Sequence, residues 1–335
     1  MMTSMIEALS DPAALPDTTE KVSVVQTHIS IVFVADAFVY KIKKPVNFGF
    51  LDFSTLEKRR YYCYQELKLN RRLSKGIYLD VLPVTFDGGR FYLGGGPGET
   101  VEYAVKMKRI PEDKLMKTIF VKGGLTRSHL RRTAEVLARF HLNALRTHEI
   151  ESYGKPERFR VNTDENFEQV ERYCDISIPR DQFVAIRRWT DQFYREMGAL
   201  FRERISQGKI RDCHGDLHME HVCFTEQLSI IDCIEFNDRF RYGDTVADIA
   251  FLLMDLEYHG GYDHAKVLWE AYEEMAGEKE LDPLLTFYKV YRAFVRGKVN
   301  SFQMDDEGIS VAERDQALER ARKYFQLAYA YTAEA

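Results

Sequence analysis

Residues 213–221 read Cys213-His214-Gly215-Asp216-Leu217-His218-Met219-Glu220-His221, and Ile230-Ile231-Asp232-Cys233-Ile234-Glu235 follows shortly after. The first string sets an aspartate in a tight polar turn. The second brings an apolar strand, Leu228 to Ile231, to an end on another aspartate sixteen positions later. Phosphoryl transfer asks for such a pair: one carboxylate orients a hydroxyl and takes its proton, and another holds magnesium against nucleotide phosphates. An isolated aspartate more often caps a turn, so the rest of the chain has to supply the other parts.

Size and composition set the bounds. A chain of 335 residues can bury a large core and is long enough for two lobes. A net charge of -5 weighs against a protein built to coat nucleic acid. No apolar run approaches the roughly 20 residues of a bilayer span, and residues 1–16 lack the charged start and apolar stretch of a secretion signal. Cys63, Cys174, Cys213, Cys223 and Cys233 form no C-x-x-C pair and leave an odd count, which points to a reducing cytoplasm. The expected setting is therefore cytoplasmic, with neither nucleic acid nor membrane as a partner.

Residues 1–20 read as a short helical or irregular lead-in. Strand-like runs follow at Val24-Val25, Ile29 to Val34 and Phe38 to Ile42, with Ala35-Asp36-Ala37 as a hairpin tip. Ser54-Thr55-Leu56-Glu57 has the form of a capping box, opening a long helix to about Ser74 that Gly76 closes. Strands return at Val81 to Phe86, Arg90 to Leu93 and Glu102 to Met107. Gly94-Gly95-Gly96-Pro97-Gly98 reads as a hairpin turn, since no Lys-Ser or Lys-Thr follows it as a phosphate-binding loop requires. Beyond Ile110-Pro111 the pattern turns helical: Leu130 to Leu145 recurs at helical spacing, Thr163-Asp164-Glu165 reads as a helix start, and Arg180 to Ser206 as one helix. Val246 to Leu256 is almost wholly apolar and therefore buried, and three more helices are expected near 262–276, 282–302 and 311–332. The expected fold class is α+β: an antiparallel-sheet lobe with one long helix over 1–107, then a larger, mostly helical lobe over 108–335.

His214-Gly215-Asp216, Lys41-Ile42-Lys43-Lys44-Pro45-Val46, Phe48-Gly49-Phe50-Leu51-Asp52-Phe53 and Asp232-Cys233-Ile234-Glu235-Phe236-Asn237 together resemble the aminoglycoside phosphotransferase family, of protein-kinase-like fold. The last three strings are similar to an uncharacterised branch of it. The resemblance implies a kinase using ATP or GTP with Mg2+ on a hydroxyl of a small molecule. By it Asp216 is the catalytic base, in a loop spanning 212–223, and Asp232 is the metal-binding aspartate of the strand end 230–237. Lys41 is the phosphate-gripping cation, with Lys43 as alternate, and Glu66 is its helical partner. His214 and Asp248 hold the catalytic loop in shape. Lys108 and Ile110 offer backbone groups to the base in the family's hinge segment. No Gly-x-Gly-x-x-Gly loop separates the first strands, so backbone amides with the Thr27 and Ser30 hydroxyls are left to cover the phosphates.

One position departs from the family pattern: His221 stands where asparagine gives magnesium an oxygen ligand. An imidazole nitrogen suits a hard cation poorly. Either His221 ligates the metal, or an oxygen of Glu235 or Asn237 takes over, or kinase activity is weakened or lost. Glu235, Asp238 and Asp244 are acidic groups that suit a cationic or polyhydroxylated acceptor, and Asn237 is a further candidate beside them. Arg292, Arg296 and Lys298 read first as a solvated helix face, and second as a lining for the acceptor. Two other functions stay open. A metal-dependent hydrolase would use His214, Asp216, His218 and His221 as ligands. A non-catalytic nucleotide-binding protein would keep the fold and lose the chemistry.

Overall fold

The computed structural model of the protein describes residues 1–306 and 308–334. The chain forms two compact units: Met1–Gly124 with Glu220–Asp238, and Leu125–Met219 with Arg239–Ala335.

The first unit is built on a six-stranded antiparallel sheet. Its strands are β1 (Ser23–Gln26), β2 (Ser30–Val34), β3 (Phe38–Lys43), β4 (Tyr78–Phe86), β5 (Phe91–Leu93) and β6 (Glu99–Lys108), in the spatial order β1-β2-β3-β6-β4-β5. Alternation decides which face each residue takes. On β3, Tyr40 and Ile42 join a core with Ile31, Phe33, Val84 and Ala104, closed by Met5 and Leu9 of helix α1 (Met2–Leu9). Lys41 and Lys43 point the other way. On that second face Cys63 and Leu67 of α2 (Leu56–Asn70) pack with Tyr78, Val81 and Val105. The unit also holds α3 (Met116–Val121) and a hairpin of Val222–Phe224 with Leu228–Ile230.

Three details depart from the sequence reading. The cap of α2 is Thr55, whose hydroxyl accepts the Lys58 amide at 3.3 Å; Ser54 is bound instead by the Asp52 carboxylate. The helix ends at Asn70, where the Ser74 hydroxyl takes the Asn70 carbonyl at 2.6 Å. The glycine run 94–98 is not a hairpin, because β5 and β6 are not neighbours. Leu93 lies opposite Val84 and Glu99 opposite Phe86, with β4 between them, so the chain must fold back over β4. A Cβ on Gly98 would sit 2.1 Å from the Phe86 carbonyl oxygen, which explains why a bare backbone is needed there.

The second unit is helical: α4 (Arg127–Asn143), α5 (His148–Ser152), α6 (Pro156–Val170), α7 (Arg180–Glu196), α8 (Gly198–Ser206), α9 (Asp238–Arg241), α10 (Thr245–Tyr258), α11 (Tyr262–Ala276), α12 (Asp282–Gln303) and α13 (Val311–Glu334). A two-stranded ribbon, Ile210–Asp212 with Tyr242–Asp244, lies among them. Phe251 and Met254 of α10, Val290 and Phe294 of α12 and Phe325 of α13 share one core. Thr163 falls inside α6 rather than at its start, because Pro156 at the first turn opens the helix better. The expected helix 180–206 is two, broken at Met197 before Gly198, a poor helix former.

Candidate functional site

The sheet unit carries a chain of charges. Lys41 Nζ lies 2.8 Å from Asp232 Oδ1 and 3.0 Å from Glu66 Oε1. The other Glu66 oxygen takes Lys43 Nζ at 2.7 Å, and Lys43 also meets the Glu235 carboxylate. Acid and base therefore alternate, Asp232–Lys41–Glu66–Lys43–Glu235, and the Lys43 ammonium stands 4.8 Å over the Phe53 ring. Glu66 and Lys43 are fully buried, whereas the Asp232 side chain is 44% exposed. Burial would lower the Lys41 pKa, but the carboxylates of Asp232 and Glu66 hold it well above the usual lysine value. Burial likewise works against the Glu66 carboxylate, and the two lysines overcome it, so its pKa is lowered. Glu235 goes the other way: burial, with Glu66 close by, raises it in spite of Lys43.

Asp232 is held by its backbone. Its φ is +61°, a left-handed conformation that few non-glycine residues adopt. The Tyr78 hydroxyl accepts its amide at 3.1 Å, and Asn70 Oδ1 accepts the next amide, Cys233, at 2.9 Å. The Ile231 amide donates to the His221 carbonyl at 3.0 Å. This places His221 Nε2 3.7 Å from Asp232 Oδ2. One hard carboxylate oxygen and one imidazole nitrogen thus face each other, a donor set that fits a divalent cation.

Several other candidates of this unit are engaged elsewhere. Glu235 is buried against Lys43 and unsuited to greet an acceptor or a metal. Asn237 donates to the Phe50 carbonyl at 2.9 Å, and Asp238 opens α9. The Thr27 hydroxyl accepts the amides of Ile29 and Ser30, closing the β1–β2 turn. Ser30 is buried and its hydroxyl has no hydrogen-bond partner among the described residues. The Lys108 amide already donates to Ile77 at 2.9 Å, and Ile110 packs against the α2 face of the sheet.

In the helical unit, the turn around Asp216 is fixed from below. The two Asp248 oxygens accept the amides of His214 at 2.9 Å and Gly215 at 2.8 Å, while His141 Nε2 lies 3.2 Å from the same carboxylate. Burial would raise Asp248, yet these bonds, that from His141 first, hold it well below the aspartate range. Arg292 donates to the carbonyls of Gly215 at 2.9 Å and Ala247 at 3.1 Å. It is a buried brace for the loop, where sequence reasoning saw a solvated face. Its neighbours Tyr291, Ala293 and Phe294 are buried too, and that apolar company was the available signal. Asp216 itself stays partly exposed, its amide 3.3 Å from His214 Nδ1. The buried His218 Nε2 lies 3.6 Å from Asp216 Oδ2; burial would lower the imidazole pKa, and Asp216 raises it instead. His214 is wholly buried, and its Nδ1 accepts the Asp216 amide. Asp244 is bound by Arg204 at 2.8 Å and is no acceptor site. Lys298 is held by the amide oxygens of Asn166 at 2.6 Å and Gln169 at 2.9 Å, and burial brings its pKa down to about 8.

Residues 103–284 match the model of the phosphotransferase enzyme family. The chain belongs to this aminoglycoside phosphotransferase family. It is 33% identical over 288 residues to uncharacterized proteins of Mycobacterium bovis (strain ATCC BAA-935 / AF2122/97) and Mycobacterium tuberculosis (strain ATCC 25618 / H37Rv), covering 85% of this chain and 56% of each relative. The chain therefore spans about half the length of the curated relatives it matches. Among solved structures it is similar to an amicoumacin kinase in complex with AMP-PNP, Ca2+ and Ami, with TM-score 0.55 and 14% identity over 97% of this chain and 92% of that one. It is also similar to a putative aminoglycoside phosphotransferase of Ralstonia eutropha JMP134, with TM-score 0.54 and 16% identity over 99% and 98%. A choline/ethanolamine kinase family protein of Mesorhizobium loti follows, with TM-score 0.51 and 16% identity over 100% of each. These likenesses show the protein-kinase-like fold that the sequence led us to expect.

Proposed function

We propose that the protein is a small-molecule kinase that moves the γ-phosphoryl group of ATP or GTP to a hydroxyl of its acceptor. The observation that carries this reading is the Lys41 ammonium, 2.8 Å from Asp232 and 3.0 Å from Glu66. Phosphate-gripping cation, helical glutamate and metal-binding aspartate are the parts phosphoryl transfer uses, and a surface lysine would have no reason to gather them. Family membership and one structure of the same fold, an amicoumacin kinase in complex with AMP-PNP, support the same reading.

Asp216 orients the acceptor hydroxyl and takes its proton as the new oxygen–phosphorus bond forms. The bond from the γ-phosphorus to its bridging oxygen breaks, and ADP or GDP leaves. Lys41, steadied by Glu66, holds the α and β phosphates. Asp232 is the residue suited to hold Mg2+ or another divalent cation, which when bound would spread the charge developing on the phosphates. The bonds from Asp248 and Arg292 keep the Asp216 turn rigid, so orientation is set before the reaction begins.

The test is ADP or GDP release across a panel of aminoglycosides, amino alcohols, sugars and nucleosides, with Asp216→Asn as the paired variant. Turnover with at least one acceptor, lost in the variant, is the expected result. Product formation unchanged by Asp216→Asn would remove that residue from the mechanism. Nucleotide binding without turnover on every acceptor would favour the non-catalytic reading.

A further inference from the structure

A cation held by Asp232 would meet the imidazole of His221, and that bears on which ion the site would prefer. His221 closes a short turn, Met219–His221, directly ahead of the strand Val222–Phe224. That strand pairs with Leu228–Ile230, and the Ile231 amide donates to the His221 carbonyl. His221 and Asp232 are thus tied through one backbone hydrogen bond at the end of one hairpin, and their spacing is a property of the backbone. The His221 side chain is only 12% exposed, so its ring has little room to swing away. Lys41 occupies Asp232 Oδ1, while Oδ2 faces His221 Nε2 across 3.7 Å. A cation held here would have the Asp232 oxygen and the His221 nitrogen as candidate ligands.

Two oxygen-bearing side chains that follow Asp232 in the sequence are committed elsewhere. Glu235 is committed to Lys43 in the buried interior, and Asn237 to the Phe50 carbonyl. Magnesium favours oxygen ligands and dehydrates reluctantly. Imidazole suits first-row transition ions, and manganese is the member of that row that also accepts carboxylate and phosphate oxygens readily.

We infer that His221 is the selectivity determinant of this cation site and makes it prefer manganese, or a later transition dication, to magnesium. The inference rests on the kinase reading, since the ion is the one that accompanies the nucleotide. It concerns the identity of the ion and the nitrogen that selects it.

The test uses the whole chain with AMP-PNP. Mn2+ binding is followed by electron paramagnetic resonance and displaced with Mg2+, in the wild type and in His221→Asn. The expected Mn2+-over-Mg2+ affinity ratio is at least tenfold greater in the wild type. Pulsed spectra of the wild type should also show coupling from a directly bound imidazole nitrogen, a readout that needs no variant to fold. Equal ratios in the two proteins, or no nitrogen coupling, would overturn the inference and leave the kinase reading standing. Failure of AMP-PNP to bind at any ion concentration, seen by calorimetry, would overturn both.

Discussion

Replacing Lys43 with methionine removes a cation that serves two buried carboxylates at once. Its Nζ lies 2.7 Å from Glu66 Oε2 and also contacts Glu235, and the lysine is 1% exposed. Taking away one member of a buried ion pair costs roughly 3–5 kcal/mol. Glu66 keeps Lys41 at 3.0 Å, so the loss falls mainly on Glu235. Burial already raises that carboxyl, so protonation relieves part of the loss and the cost should lie near the lower end, about 3 kcal/mol. In a protein of 335 residues that is a fall in Tm of about 4 °C. Lys43→Met, Glu235→Gln and the double variant should be compared by urea and thermal denaturation. The double variant should recover part of the loss, with a coupling of about 2 kcal/mol. The sign with pH follows from an acid whose folded pKa is raised: its contribution is complete below the unfolded value and declines as pH rises through the folded one. The penalty of Lys43→Met should therefore shrink as pH falls toward the ordinary glutamate value of 4.5. A Lys43→Met protein within about 0.5 kcal/mol of wild type, or strictly additive variants, would refute the claim that these groups form one buried network.

Three further outcomes are expected. Gly98→Ala combines a φ of +93° with a Cβ 2.1 Å from the Phe86 carbonyl, and should destabilise the sheet unit by about 2 kcal/mol or more, measured by urea denaturation. Arg292→Met removes the donor to the Gly215 carbonyl and should lower kcat at least about tenfold, a loss of roughly 1.4 kcal/mol in the barrier, while AMP-PNP affinity measured by calorimetry stays unchanged. Asp248 has a depressed pKa, so its contribution is present above the unfolded value of 3.8 and is lost as pH falls through the folded one. Asp248→Asn should therefore be less stable than wild type at pH 7, and the gap should narrow in denaturation curves taken below pH 4.

The strands were legible because apolar residues alternate along them, and Tyr40 and Ile42 behave as that pattern requires. The spacing of Asp216 and Asp232 was the reason to expect a phosphate chemistry. What stayed hidden was the pairing of charges over long separations. Nothing local distinguishes Lys43 from a surface lysine, since its partners lie 23 and 192 residues away. The hint was arithmetic: two lysines in Lys41-x-Lys43 and two acids in Asp232-x-x-Glu235, both inside otherwise apolar strings. His218 was similarly opaque. Its role beside Asp216 depends on burial against Phe251, which the motif does not record. The glycine run misled because a turn and a fold-back over a neighbouring strand use the same residues, and only strand order separates them.

The backbone at Asp232 also limits how that residue can be probed. At φ +61° a side chain branched at Cβ, or any residue lacking a short polar group, adds conformational strain of its own. Alanine at 232 would remove the carboxylate and disturb the chain path in one stroke, and the two losses could not be told apart. Asparagine tolerates the left-handed region nearly as well as aspartate, so it is the informative exchange: it deletes a charge and leaves the trace of the chain in place.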